Sequence, residues 1–297
     1  MSGERIEQPF HAGELQAQRL AGTAPAAAPI RAFMPEQHRA FFPLLRFVCV
    51  AVPDDVGWPL ATLVEGAPGF ASSPDPARLV VGAMPPPADP VRARLREGAP
   101  AGLLGIDLAT RRRNRLNGIV AQVSEEGFAV DVVQSFGNCP RYIQVRELIP
   151  LAREAGPVTV FDEALPARAR ELLANSGTLF VASASGANAE GAAAGLDISH
   201  RGGPPGFARL AGSVLTIPDY NGNRYFNTLG NFIAEPRAAI VLADFKTGDM
   251  LQLQGLVEID WSAADPDRQP PVERVWRFRI VRGVLREGAF GLGSELA

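Results

Sequence analysis

"GLLGIDLATRRRNRLNGIVAQV", Gly102 to Val123, and "AAIVLADFKTGDMLQLQGLVEID", Ala238 to Asp260, are two versions of one hairpin. Each has an apolar strand, a polar tip and a second apolar strand, and they align without a gap. Asp107 and Asp244, Thr110 and Thr247, and Gly118 and Gly255 are all 137 positions apart (255 − 118). So are Phe70 and Phe207, which close the Pro-Gly-Phe corners of "TLVEGAPGF" (from Thr62) and "SHRGGPPGF" (from Ser199). One offset held from corner to hairpin means two copies of one unit. The copies span 30–150 and 158–290, after an N-terminal extension, 1–29.

Working outward, the copies read alike. A short amphipathic helix opens each: "PEQHRAFFPLLR" from Pro35, and "DEALPARARELLAN" from Asp162, with Asp162 as N-cap. Apolar β-rich runs follow, "FVCVAV" from Phe47 and "TLFVAS" from Thr178. Then come the corner strand, a further strand, a short helix (near 89–98 and 226–235), the hairpin and a last strand. About six short strands with regular turn signals and two small helices predict a small β-barrel. The fold class expected is mainly β, a tandem of barrels.

The bulk composition narrows the function. Hydrophobic content of 46% with 21% charged residues is that of a soluble globular chain. A net charge of -3 argues against a nucleic-acid partner, which requires a basic face. The basic run "TRRRNR", Thr110 to Arg115, reads as a solvated hairpin tip. No apolar run is long enough for a membrane helix, and the early charges Glu4, Arg5 and Glu7 predict no signal peptide, so the expected compartment is the cytoplasm. Two cysteines (Cys49, Cys139) and three scattered histidines (His11, His38, His200) predict neither a disulfide framework nor a metal site.

Positions where the copies differ in chemistry show what only one of them does. Copy two has Ser199, His200, Arg201 and Gly202 where copy one has Thr62, Leu63, Val64 and Glu65. Before its helix, copy two reads "PDYNGNRYFNTLGN" from Pro218, where copy one reads "VGAMPPPADPVRAR" from Val81. Arg201, Asn221, Asn223, Arg224, Asn227 and Thr228 therefore gather at a helix N-terminus, a combination suited to phosphate. Prolines, which lack N–H groups, replace that region in copy one. Copy one has instead "QSFGNCPRYIQ", Gln134 to Gln144, after its last strand. It offers Gln134, Ser135 and Asn138 for hydrogen bonding and Phe136 and Tyr142 as flat apolar faces.

"SHRGGPPGF", "LTIPDYNGNRYFNTLGN", "EPRAAIVLADF" and "FGNCPRYIQ" resemble the pyridoxamine 5′-phosphate oxidase-like, FMN-binding split-barrel family, in particular a bacterial flavin-nucleotide-binding subgroup. The resemblance covers both copies. It implies FMN held in a cleft between two barrels, here an internal pseudo-dimer. Arg201 and Arg224 would neutralise phosphate; Ser199, Asn223, Asn227 and Thr228 would donate hydrogen bonds; His200 and Gly202 would complete the loop; Gln134, Ser135 and Asn138 would come from the other barrel. It implies a flavin-dependent oxidoreductase or the flavin module of an electron-transfer system, with a reductase as redox partner and a homodimer of the tandem chain as an assembly. The alternatives are a non-catalytic flavin carrier or sensor, a heme-handling protein on the same fold, or a deazaflavin in place of FMN. The Arg-Lys pair of the family's oxidases is Asn227 and Thr228 here, which separates this chain from them. No residue reads as a catalytic acid or base.

Overall fold

The computed structural model describes residues 5–23, 29–186 and 189–294. The first half opens with helix α1 (Ala12–Leu20), the four-residue helix α2 (Glu36–Arg39) and a 3-10 turn at Phe42–Leu44. Seven strands follow: β1 (Phe47–Pro53), β2 (Pro59–Glu65), β3 (Ala71–Asp75), β4 (Arg78–Val81), β5 (Pro100–Asp107), β6 (Arg112–Val123) and β7 (Phe128–Gly137). They form one antiparallel sheet in the order β2-β1-β5-β6-β7-β4-β3.

A connection with β8 (Ile149–Pro150) and β9 (Val158–Phe161) leads to α3 (Ala167–Asn175). The second half then runs β10 (Thr178–Ala184), β11 (Leu196–Gly202), β12 (Arg209–Ala211), β13 (Val214–Tyr220), α4 (Asn227–Ala234), β14 (Arg237–Ala243), β15 (Met250–Asp260) and β16 (Val272–Arg286), before a short β17 (Leu292–Gly293). Its sheet order is β11-β10-β14-β15-β16-β13-β12, with β9 added along β16. Substituting β10 to β16 for β1 to β7 turns one order into the other. Even the irregularities correspond: the register slips between Asn117 and Gly118 in one hairpin and between Gln254 and Gly255 in the other. The protein is mainly β, a tandem of two like-ordered sheets.

The period of a strand explains how the sheets meet, because successive side chains point to opposite faces. In β1, Val48, Val50 and Val52 enter the core of the first half, while Phe47, Cys49 and Ala51 enter a cluster shared by both halves. In β10, Leu179 and Val181 enter the second core, while Phe180 and Ala182 enter the shared cluster. Both runs are continuously apolar because both faces are covered. The two sheets therefore pack face to face around a common apolar layer.

Two expected helix features differ. The helix expected near 89–98 is a single 3-10 turn, Arg92–Arg94, while its partner near 226–235 is the full helix α4. Asp162 caps nothing: α3 starts after Pro166, which makes no side-chain cap. Pro166 is itself extended at ψ 154°, and the residue before a proline is disfavoured in the helical region, so the helix starts after it. Among the described residues no helix is long and apolar enough to cross a membrane.

The N-terminal extension is built into the second half. His11 caps α1 by accepting from the Gly13 N–H at 3.1 Å, and Glu14 reaches back to the His11 N–H at 2.8 Å. This is a capping box with histidine as the cap. Helix α1 lies so close to α4 that a Cβ on Gly13 would sit on the Gly230 carbonyl oxygen, and one on Gly230 would strike the Glu14 backbone. Only glycine permits that crossing.

Candidate functional site

Strand β11 ends at the seam between the halves, and its alternation splits the expected residues into two sets. His200 follows Leu196 and Ile198 toward the shared layer, where its ring stands edge-on to Phe180 at 5.7 Å. Ser199 and Arg201 follow Asp197 toward α4 and β13. The Ser199 hydroxyl lies 2.9 Å from the Thr228 hydroxyl at the start of α4. Arg201 stands 3.9 Å from Asp219 and donates to the neighbouring His200 carbonyl at 3.2 Å.

The opposite wall comes from the first half. Arg113 and Arg115, two residues apart on β6, project into the same cleft as Ser199, His200 and Arg201. Arg113 lies 3.3 Å from the His200 Nδ1 and donates to the Cys139 carbonyl. Arg115 donates to Asp197 at 2.9 Å and to the Ser199 hydroxyl, with its guanidinium 5.1 Å over the Phe136 ring. The run read as a solvated tip thus supplies two cations to a seam. Of that run, Thr110, Arg111 and Arg112 are exposed at the tip.

The segment after β7 crosses onto the second half. Asn138 accepts from Asn223 at 3.4 Å, Arg141 donates to Asn221 at 3.1 Å, and Gln144 donates to the Gly203 carbonyl at 2.8 Å. The Tyr142 and Tyr220 rings are 4.9 Å apart. A Cβ on Gly202 would collide with the Tyr142 carbonyl oxygen, so the crossing needs glycine there as well.

The cleft so formed is a cavity of about 110 Å³ with an open mouth, below the ~300–1,000 Å³ typical of small-molecule sites. Nine of the eleven residues expected at the site belong to its wall: Ser199, His200, Arg201, Gly202, Asn223, Arg224, Asn227, Thr228 and Asn138. Gln134 and Ser135 do not. They lie within β7, not in the loop: Gln134 accepts from Asn117 and donates to the Pro9 carbonyl, and Ser135 lies 2.9 Å from His38. Phe136 is likewise turned away, against Ile30 and Tyr225. Asn227 lines the wall but donates its amide to Glu14 of α1. That leaves the backbone start of α4, with Thr228, facing the cleft.

Electrostatics set this cleft apart. Five arginines (Arg113, Arg115, Arg141, Arg201, Arg224) and two carboxylates (Asp219, Glu273) line it. Arg115 is neutralised by Asp197 and Arg201 stands 3.9 Å from Asp219, whereas Arg113 has no carboxylate partner among the described residues. Burial, then Arg115 and Arg201, pull the Arg113 pKa down to about 9. Burial, then Arg113 and Arg201, push His200 well below the usual histidine range, so its ring is neutral. Buried donors are left over: the Nε of Arg113 and Arg201, the Asn138 amide nitrogen and the His200 Nε2 have no hydrogen-bond partner among the described residues. Buried polar groups are normally satisfied, so a cluster of orphaned donors and repelling cations fits an oxyanion. Among the described residues no group of His, Cys, Asp or Glu is arranged to hold a metal.

Behind the wall lies a polar network that the sequence reading missed. His11 Nε2 is 2.7 Å from Asn231, whose amide donates to Ser183 and to Asp197. Asn117 donates to the same carboxylate at 2.8 Å. Burial first, then the Asp197 charge, raise the Glu14 pKa to about 8, against the hydrogen bonds from His11 and Asn227. Between its unfolded value of 4.5 and about 8, folded Glu14 keeps a proton that the unfolded chain has released. Its contribution is therefore complete below pH 4.5 and lost as pH rises through 8. The three histidines, all lowered on folding, change stability only below 6.5. Urea midpoints should accordingly fall between pH 6.5 and 8, by about 1 to 2 kcal/mol from Glu14. Glu14→Gln, which cannot ionise, should remove that decline; an unchanged slope in the variant would reject the assignment.

No family model and no curated protein matches the chain. Among solved structures it is similar to HupZ of Group A Streptococcus, at 15% identity over 40% of this chain and 92% of that chain, with a TM-score of 0.32. It is also similar to a FAD-binding protein of Mesorhizobium loti, at 13% identity over 44% of this chain and 97% of that chain, with a TM-score of 0.28. Both matches take in nearly all of the other protein and less than half of this one.

Proposed function

We infer that the cleft holds a flavin nucleotide, FMN, with its phosphate at Arg113, Arg115 and Arg201, and that the protein is a flavin-dependent oxidoreductase or the flavin module of an electron-transfer system. The observation that carries this reading is the set of orphaned donors and clustered guanidinium groups contributed by both halves. The motif resemblance selects a flavin from among phosphate-bearing ligands, and the aromatic wall of Tyr142, Tyr220, Phe207 and Phe226 suits a flat ring.

When bound, a flavin supplies the redox chemistry; the chain binds and orients it. Arg113 and Arg201 neutralise the phosphate with forked donors, and the Ser199 and Thr228 hydroxyls sit beside the start of α4, where backbone N–H groups are free. Arg115 is held by Asp197 and Phe136, so it presents a fixed charge rather than a searching one. Neutral His200 offers Nε2 for one hydrogen bond and no charge.

Two measurements test the reading. The purified protein, or apoprotein titrated with FMN, should show a flavin spectrum and quench FMN fluorescence with an endpoint of one per chain. An endpoint of two, or no binding, would sink it. Steady-state reduction of the bound flavin by NADH or NADPH, alone or with a partner reductase, then separates an enzyme or electron-transfer module from a passive carrier.

A further inference from the structure

The first half has a counterpart of the cleft, and it is filled from within. Subtracting or adding the offset of 137 carries Ser199 to Thr62, Thr228 to Val91 and Arg115 to Gln252. Asn138 follows β7 beside Arg113 just as Arg286 pairs with Met250 on β15, and Met250 is the counterpart of Arg113. These four counterparts surround one carboxylate. Asp89 accepts from the Thr62 hydroxyl, from the Val91 N–H at 2.9 Å, from the Gln252 amide at 3.2 Å and from Arg286 at 2.6 Å.

We propose that this is a second oxyanion site whose permanent occupant is the chain's own Asp89 carboxylate. Hydroxyl, helical-turn N–H, β15 side chain and last-strand side chain occupy the same positions as on the open cleft. The anion is covalent here and would be diffusible there. Satisfaction of the donors distinguishes the two: none of the buried side-chain atoms of Thr62, Asp89, Gln252 or Arg286 lacks a partner, whereas the cleft leaves several donors orphaned. Asp89 is 0% and Arg286 2% exposed at the side chain, so water does not substitute for the contact. Asp89 takes the position of Phe226, the residue before α4, which makes no side-chain cap there. The aspartate at that position is what fills the site in the first half. The assignment does not depend on which molecule enters the cleft.

The test is chemical rescue in the full-length chain. Asp89→Ala should lower the melting midpoint, because it leaves Arg286 buried without its partner. Formate should then raise that midpoint by about 3 to 5 °C at ten times its Kd, with acetate and inorganic phosphate weaker as their size grows, while chloride at matched ionic strength should not. The wild-type protein should not respond to formate in this way, and Asp89→Ala/Arg286→Met should be more stable than Asp89→Ala and lose the rescue. If Asp89→Ala is insoluble, Asp89→Asn keeps the shape without the charge, and Arg286→Met should relieve its destabilisation. Equal response to formate and chloride, rescue that survives Arg286→Met, or no relief in the Asn background would overturn the proposal and leave Asp89 as an ordinary turn-capping residue.

Discussion

Replacing Arg113 and Arg201 together by alanine will weaken FMN binding about 100-fold or more, while the melting midpoint of the ligand-free protein stays level or rises. Each guanidinium is positioned for a charge-assisted contact worth about 1.5 to 3 kcal/mol, roughly a 10- to 150-fold change in Kd. The two lie in one cluster, so their effects will not simply add. The stability half of the expectation comes from burial and repulsion: burial, then Arg115 and Arg201, lower Arg113; burial, then Arg113 and Arg201, lower His200; and each of the two guanidinium groups has an orphaned buried Nε. Removing them relieves that repulsion, and Asp219, which loses Arg201 at 3.9 Å, keeps Arg274 at 3.5 Å. Fluorescence-quench titrations with FMN and with riboflavin decide the matter. Riboflavin lacks the phosphate and should lose little; a parallel loss of both ligands would mean that these arginines support the ring or the fold instead.

Arg115→Met should be strongly destabilising, at about 3 to 5 kcal/mol and on the order of 10 °C in midpoint. Arg115 belongs to β6 of the first half and Asp197 to β11 of the second, and the pair is buried on both sides. Methionine fills much of the space but leaves Asp197 a buried anion, held only by Asn117 and Asn231. Asp197→Asn added to Arg115→Met should restore most of the loss, since no charge then remains. Calorimetry of the two single variants and the double variant closes the cycle. A neutral Arg115→Met would show that the pair does not brace the seam between the halves.

The site was partly legible from sequence because two copies could be compared. Arg201, Asn223 and Thr228 stood out as differences at equivalent positions, and the structure puts them on one wall. Arg113 and Arg115 did not stand out, because "TRRRNR" was read as a charge run and not as a strand. A signal was available: Arg113, Arg115 and Asn117 alternate, which places all three on one face of β6. Gln134 and Ser135 were misplaced because the segment from Gln134 was counted as a source of free donors, although both residues lie within β7 and bond inside the fold. The capping box of α1 was overlooked because histidine is an unusual cap.

Alternation, turn residues and the offset of 137 are local or self-comparing properties, and they were sufficient by themselves to determine a tandem, mainly β chain with an asymmetric pair of loops. They say which faces are apolar, and therefore that each sheet must cover two. Only the tertiary structure decided which residue meets which across the seam. Arg113 and His200 are 87 positions apart, Arg115 and Asp197 82, and Asp89 and Arg286 197. Contacts at such separations depend on how two sheets twist and slide against each other, and no period in the sequence records that. The charge of Asp89 was visible from the start; that it points inward, at the position where the other half is open, follows from packing alone.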